Sequence, residues 1–155
     1  MYRLITIFVA LLWSISALSH HWVRDVYDGE KRLIIDAEVK KFELIYPHPM
    51  MLIEIVAVPE GQDVHDLMAG QTWTLEMDNR RELTALGIHG ETFIPGDQIR
   101  VAVDPSFNTS YRDNTLYLRA VEHPREGFVY VHNVRQLFPI DSEEDNLSRH
   151  LQKIH

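Results

Sequence analysis

The chain has 155 residues, 45% of them hydrophobic and 25% charged, which suits one globular domain with a sizeable core. Fifteen Lys and Arg against 23 Asp and Glu give a formal charge of -8, which argues against a protein built to neutralise nucleic-acid phosphates. With no cysteine, disulfides, thiolate metal sites, iron-sulfur clusters and cysteine nucleophiles are all excluded.

The first predicted element is a targeting segment. Arg3 supplies a positive start, Leu4 to Trp13 is an apolar run short for a bilayer, and Ala17-Leu18-Ser19 offers small residues at a signal-peptidase site. Residues 1–19 therefore read as a removed signal peptide, with an uncleaved anchor as the alternative. Cleavage predicts an exported, periplasmic protein with no stable membrane span. It also predicts a mature chain that begins His20-His21-Trp22. An amino-terminal histidine joins a free amine to an imidazole and can close a chelate ring, and such nitrogen donors suit tetragonal Cu(II), with Ni(II) or Zn(II) as competitors.

Two strands follow. Leu33, Ile35, Ala37 and Val39 alternate with a mostly polar set, and Lys41 interrupts the pattern before Phe42. Met51, Ile53, Ile55 and Ala57 alternate with residues that are also apolar apart from Glu54, which suggests a central strand. Between them, Tyr46-Pro47-His48-Pro49 places an imidazole on a stiff corner, because each proline fixes its own φ and biases the preceding residue toward extended backbone. His48 is thus a candidate ligand alongside His20 and His21. The plainer reading is a corner that only ends one strand and starts the next.

Val64 to Gly70 reads as a loop or single turn. Trp73, Leu75 and Met77 then alternate with polar residues, which predicts a half-buried strand and places Glu76 on the face opposite Trp73, as a solvated carboxylate. Asn79 with Glu82 has capping-box spacing, Leu83 and Leu86 share a face, and Gly87 is a stop, so a helix of about two turns is expected here. Pro95-Gly96-Asp97 turns the chain into a strand with Ile99, Val101 and Val103. Leu116 to Val121 and Phe128 to Val131 read as a hairpin whose Tyr117, Arg119, Tyr130 and His132 are candidates to line a ligand groove. Ser142 to Ile154 reads as a capped helix with Leu147, Leu151 and Ile154 on one stripe.

Strand, strand, strand, helix, strand, strand is the order of a small OB-fold-like antiparallel β-barrel. The domain layout is then signal peptide 1–19, barrel 20–140 and C-terminal helical tail 141–155. A barrel requires Ile53, Trp73, Leu75 and Val101 to share one interior, whereas a β-sandwich would separate them.

His20-His21, a short strand, Pro47-His48, Trp73-x-x-Glu76, a short helix ending near Gly87, and Pro95-Gly96-Asp97 together resemble the Domain of Unknown Function 6152 family over about residues 20 to 121. The family usually has Asn where Tyr46 stands, and the last hairpin and tail helix exceed its usual pattern. The resemblance implies a small exported bacterial β-barrel and no settled activity. More distantly the chain is similar to periplasmic bacterial OB-fold proteins.

Catalytic constellations are not evident. Gly87-Ile88-His89-Gly90 follows a helix rather than opening one, so it cannot present helix amides to phosphate, and no nucleophile elbow accompanies the Ser, His and Asp residues. Arg80 and Arg81 read as surface charge. The histidines at 65, 89, 123, 132, 150 and 155 lack metal-motif spacing, and a third donor would come from His123 or His132 on the last hairpin. Two readings follow. One is an exported binding domain holding copper through His20, His21 and His48. The other is a metal-free module binding a peptide, glycan or partner protein through the hairpin groove. An oxidative copper enzyme is a third class, requiring an open coordination position.

Overall fold

In the computed structural model, described over residues 22–60, 67–107, 114–141 and 146–151, seven strands form one sheet that curls on itself. The strands are β1 (Leu33–Glu43), β2 (Met50–Ala57), β3 (Thr72–Glu76), β4 (Gln98–Pro105), β5 (Thr115–His123), β6 (Phe128–Val131) and β7 (Gln136–Pro139). Short helices are α1 (Trp22–Val26), α2 (Arg80–Ala85) between β3 and β4, and α3 (Asn146–Leu151). The predicted signal segment, His20 and His21 lie outside the described residues, as do Ser142, Asp145 and Ile154 of the predicted tail helix.

Closure comes from β3. It pairs antiparallel with β2 and parallel with β5, through Thr74, Leu75 and Glu76 against Thr115, Leu116 and Tyr117. Since β1 pairs with both β2 and β4, and β4 with β5, the circuit β1-β2-β3-β5-β4 closes, with α2 where an OB-type barrel carries its helix. Ile53, Leu75 and Val101 are buried in one core with Trp73 packed against it, so the barrel expectation holds and the sandwich does not.

Three register shifts shape the wall, the first in the β1–β2 pairing between Asp36 and Ala37. The β1–β2 register shifts again between Val39 and Lys41, which returns Phe42 to the core side and explains the interrupted alternation. The β4–β5 register shifts so that Ala102 faces Ala120 while Val103 faces Leu118, leaving Arg119 as the extra residue. Before this bulge Leu116 and Leu118 point inward; after it Val121 does, and Ala120 turns outward. Ala102, Ala120, Val129, Val131 and Leu147 make a second cluster outside the barrel, under α3. The strand β7, which the sequence reading does not anticipate, pairs with β6 and brings Phe138 onto this cluster.

Local chemistry matches the expected stops. The Asn79 side chain accepts from Glu82 N at 3.1 Å, and Gly87 takes a φ of +89° while Ile88 N returns to Leu83 O at 3.0 Å. Leu83 and Ile88 enter the core. Of β2, Met51, Ile53 and Ile55 are buried, but Leu52 and Val56 face solvent.

The Pro95-Gly96-Asp97 turn is held by a buried latch. Gly96 N donates to Val39 O at 2.8 Å, Asp97 Oδ2 accepts from Ile94 N at 2.9 Å, and Asp97 Oδ1 accepts from Arg125 Nε at 2.6 Å. His123 Nε2 lies 3.0 Å from both Thr92 O and Asp97 Oδ2, so Nε2 carries the proton. Nδ1 is buried without a hydrogen-bond partner among the described residues, and Phe93 stacks on the ring at 4.9 Å. Burial pushes His123 below the ordinary histidine value. Burial works against the charge on Asp97, yet Arg125 and Ile94 N carry its carboxyl below the usual range.

The unfolded histidine binds a proton near pH 6.5 and the folded one resists it, so this contribution is complete above about pH 6.5 and is lost as pH falls below it. We expect lowering the pH from 7.5 to 5.5 to reduce the urea-unfolding free energy of the wild type more than that of His123→Gln. Parallel pH profiles for the two proteins would remove His123 as the cause.

Candidate functional site: an imidazole corner at the barrel seam

Proline chemistry sets the corner between β1 and β2, and the segment after β3 clamps it. Met77 N donates to Pro49 O at 2.9 Å and Arg80 N to Pro47 O at 3.1 Å. The Arg80 guanidinium covers the Tyr46 ring, with 5.3 Å to its centroid. Between the prolines, His48 Nδ1 lies 3.1 Å from Met77 O. A carbonyl oxygen only accepts, so the proton of this bond sits on Nδ1 and the Nε2 of the neutral ring keeps its lone pair. The side chain is 34% exposed, and Nε2 has no hydrogen-bond partner among the described residues. A ring fixed through one nitrogen and open at the other is the usual state of a metal-ligating histidine.

Alternation correctly places Glu76 outside the barrel, but it is buried rather than solvated. It is 6% exposed, and Tyr27 donates its phenol to Glu76 Oε2 at 2.7 Å. The other carboxylate oxygen is 3.9 Å from His48 Nδ1. Tyr27 follows α1, and backbone bonds stitch this region to the end of β4: Asp28 N to Pro105 O at 2.8 Å and Phe107 N to Val26 O at 2.9 Å. The chain just after His20-His21-Trp22 is therefore docked beside the corner that carries His48.

The four groove candidates do not share an open wall. Tyr130 is buried in the barrel core. Tyr117 points outward beside Glu76 but is 1% exposed, packed 5.2 Å from the Tyr27 ring and edge-on to His132 at 5.4 Å. Burial pushes both phenols above the ordinary tyrosine value, so they stay protonated. Arg119 lies over Tyr117 and pairs with the fully buried Asp104, which Arg32 Nε also reaches at 2.9 Å. The Arg119 bulge and the Tyr27 cover turn these side chains largely into one another or into the core.

His132, in the 3-10 turn after β6, places Nδ1 3.0 Å from Asp78 Oδ2 and is 16% exposed. Burial opposes the charge on Asp78, but His132, Glu82 and the Asn79 amide together outweigh it and hold the carboxyl down at about 2. The Asp78 hydrogen bond raises Glu82, which also pairs with Arg135 at 3.0 Å. His123, the other expected third donor, belongs to the latch around Asp97. Among the described residues no three His, Cys, Asp or Glu side chains converge as a ready-made metal cage. No helix among those residues is long and apolar enough to cross a membrane.

The sequence reading finds His48 because proline neighbours advertise it. It misses the Tyr27–Glu76 bond and the His132–Asp78 pair, whose partners are remote in sequence and carry no local pattern.

The model of a family of unknown function, DUF6152, matches residues 9–113. That span includes His20, His21, His48 and Glu76, and ends before β5 and His132. No curated protein matches the chain.

Removing the Tyr27 hydroxyl takes a charge-assisted hydrogen bond from a buried carboxylate, which is worth about 1–3 kcal/mol. We expect Tyr27→Phe to lower the urea midpoint accordingly and to speed amide exchange in α1 more than in β1. Unchanged stability and exchange would show that the bond does not hold the segment.

Proposed function

Because the chain belongs to the DUF6152 family of unknown function, kinship assigns no activity, and we propose from the site that it is an exported binding domain that holds a copper ion through His20, His21 and His48. The observation that carries this reading is the His48 tautomer: its Nδ1–H donates to Met77 O, which leaves the Nε2 lone pair available on a partly exposed ring. Chain length supports the other donors. His21 precedes Tyr27 by only six residues, so the histidine pair is tethered by a short stretch of chain to the residue docked on Glu76.

The donor set suits Cu(II). An amine and imidazoles are borderline nitrogen ligands, and copper stands highest in divalent affinity for such a set. When bound, copper would supply a strongly held cation at the barrel seam. The protein's own part is to hold His48 rigid through the proline corner and to fix the amino-terminal segment through Tyr27 and Glu76. Export, a periplasmic location and a binding rather than catalytic role belong to the same proposal. It rests on the predicted signal peptide, since only cleavage before His20 creates the chelating amine.

The test is a copper titration of protein with a verified His20 amino terminus, beside a variant bearing one added N-terminal alanine and beside His48→Ala. We expect one equivalent of tightly bound Cu(II) with nitrogen hyperfine structure in EPR, lost in the extended protein and weakened at least about tenfold in His48→Ala. Equal weak binding by all three would reject the copper reading.

A further inference from the structure

We infer that the His89–Asp97 segment between α2 and β4 is an acid-released lid on one end of the barrel, closed while His123 is neutral and opened when His123 takes a second proton. The inference goes beyond the copper reading and uses none of its residues.

The closed lid is tied on two sides. Gly96 N donates to Val39 O at 2.8 Å and Val39 N donates to Asp97 O at 2.9 Å, which joins the lid to β1. On the other side Thr92 O accepts from Arg125 Nη2 at 2.8 Å and lies 3.0 Å from His123 Nε2. Phe93 fills the space between, stacked on the His123 ring at 4.9 Å and edge-on to Phe42 at 5.2 Å and to Phe128 at 6.2 Å. Ile88 and Ile99, just outside the segment, are anchored in the core. Lifting the lid therefore uncovers aromatic surface without opening the strand circuit.

The ring of His123 is where acid acts. Nε2 already carries a proton between its two acceptors, so a second must go to Nδ1. That atom is buried without a hydrogen-bond partner among the described residues, on a fully buried side chain enclosed by Phe93 and Phe128. A new N–H there would meet no acceptor. The charged groups that face the ring are Asp97 from the lid, and Arg125 with its partner Glu126 from the turn after β5; β1 and β6 bring Phe42 and Phe128. Asp97 favours a cation, but it already accepts from Arg125 Nε at 2.6 Å, Arg125 Nη2 at 3.0 Å and Ile94 N at 2.9 Å. A second cation thus gains less than its burial costs, in keeping with the downward shift of His123. Opening the lid lets water reach Nδ1 and removes that cost.

The open ring takes its proton near pH 6.5 and the closed ring resists it, so the open form gains population as pH falls below about 6.5. Asp97, held below the usual carboxylate range, stays ionised there and is not the trigger.

The experiment is amide exchange on the whole protein, read by NMR and corrected for intrinsic exchange, at pH 7.5 and pH 5.5. We expect protection at Val39, Ile94 and Gly96 to fall at least about tenfold at the lower pH, while Ile55, whose N–H donates to Gln71 O in the barrel wall, changes less than about twofold. In wild-type protein with isotope-labelled histidine, the His123 ring should titrate in step with the lid amides, a readout that needs no variant. In His123→Gln the lid amides should lose their pH dependence. Equal loss of protection at Ile55 would show global unfolding and overturn the lid. Lid amides that ignore pH, or that keep their pH dependence in His123→Gln, would overturn it as well.

Discussion

The pairing of three residues of β3 with three of β5 is the constraint on which the rest depends. Without it the sheet is open with two edges; with it the first five strands enclose one core. Parallel pairing aligns side chains in register, so the contact that sends Leu75 and Leu116 inward also sets Glu76 beside Tyr117 on the outside. A carboxylate and a phenol at a seam cannot be left half-desolvated at no cost. Tyr27 resolves this by giving its hydroxyl to Glu76 and its ring to Tyr117. The candidate site is therefore a consequence of closing the barrel.

Irregularities in the wall decide what surrounds that seam. Arg119 is the extra residue of a bulge, and a regular strand would have kept one parity along all of β5. The bulge frees Arg119 to reach Asp104, which Arg32 approaches from the chain before β1. A buried carboxylate between two guanidiniums offsets its own desolvation more than it adds stability, so its role is to fix geometry. The same parity change turns Ala120 outward, where α3 and β7 cover it with Leu147 and Phe138. Two apolar clusters on opposite faces of one sheet thus leave the polar chemistry confined to the seam and the Asp97 latch.

Imidazoles are treated differently in these two places. His123 is enclosed by Phe93, Phe128 and the latch, and its remaining nitrogen faces no polar group. It contributes packing and one donor. His48 instead has Nδ1 engaged and the other nitrogen uncommitted, and its ring retains some exposure. Ligand chemistry is supported for the second kind by orientation and access, not by the residue type.

Much of the fold was legible in the chain. Alternation located the strands, Asn79, Gly87 and Gly96 marked local starts and stops, and Lys41 marked a bulge, because these depend on neighbours within a few residues. The position of one helix between the third and fourth strands was enough to order the barrel. The prolines around His48 likewise made one ligand candidate visible. Alternation names the face of a strand but not what covers that face, so Glu76 read as solvated until Tyr27, 49 residues away, was found over it. Tyr117 and Tyr130 looked alike in sequence, yet the bulge and the closure sent one to the seam and the other into the core. The fate of His123 against His132 was decided the same way: by Asp97 and Asp78, which meet them only after the last hairpin returns to the barrel.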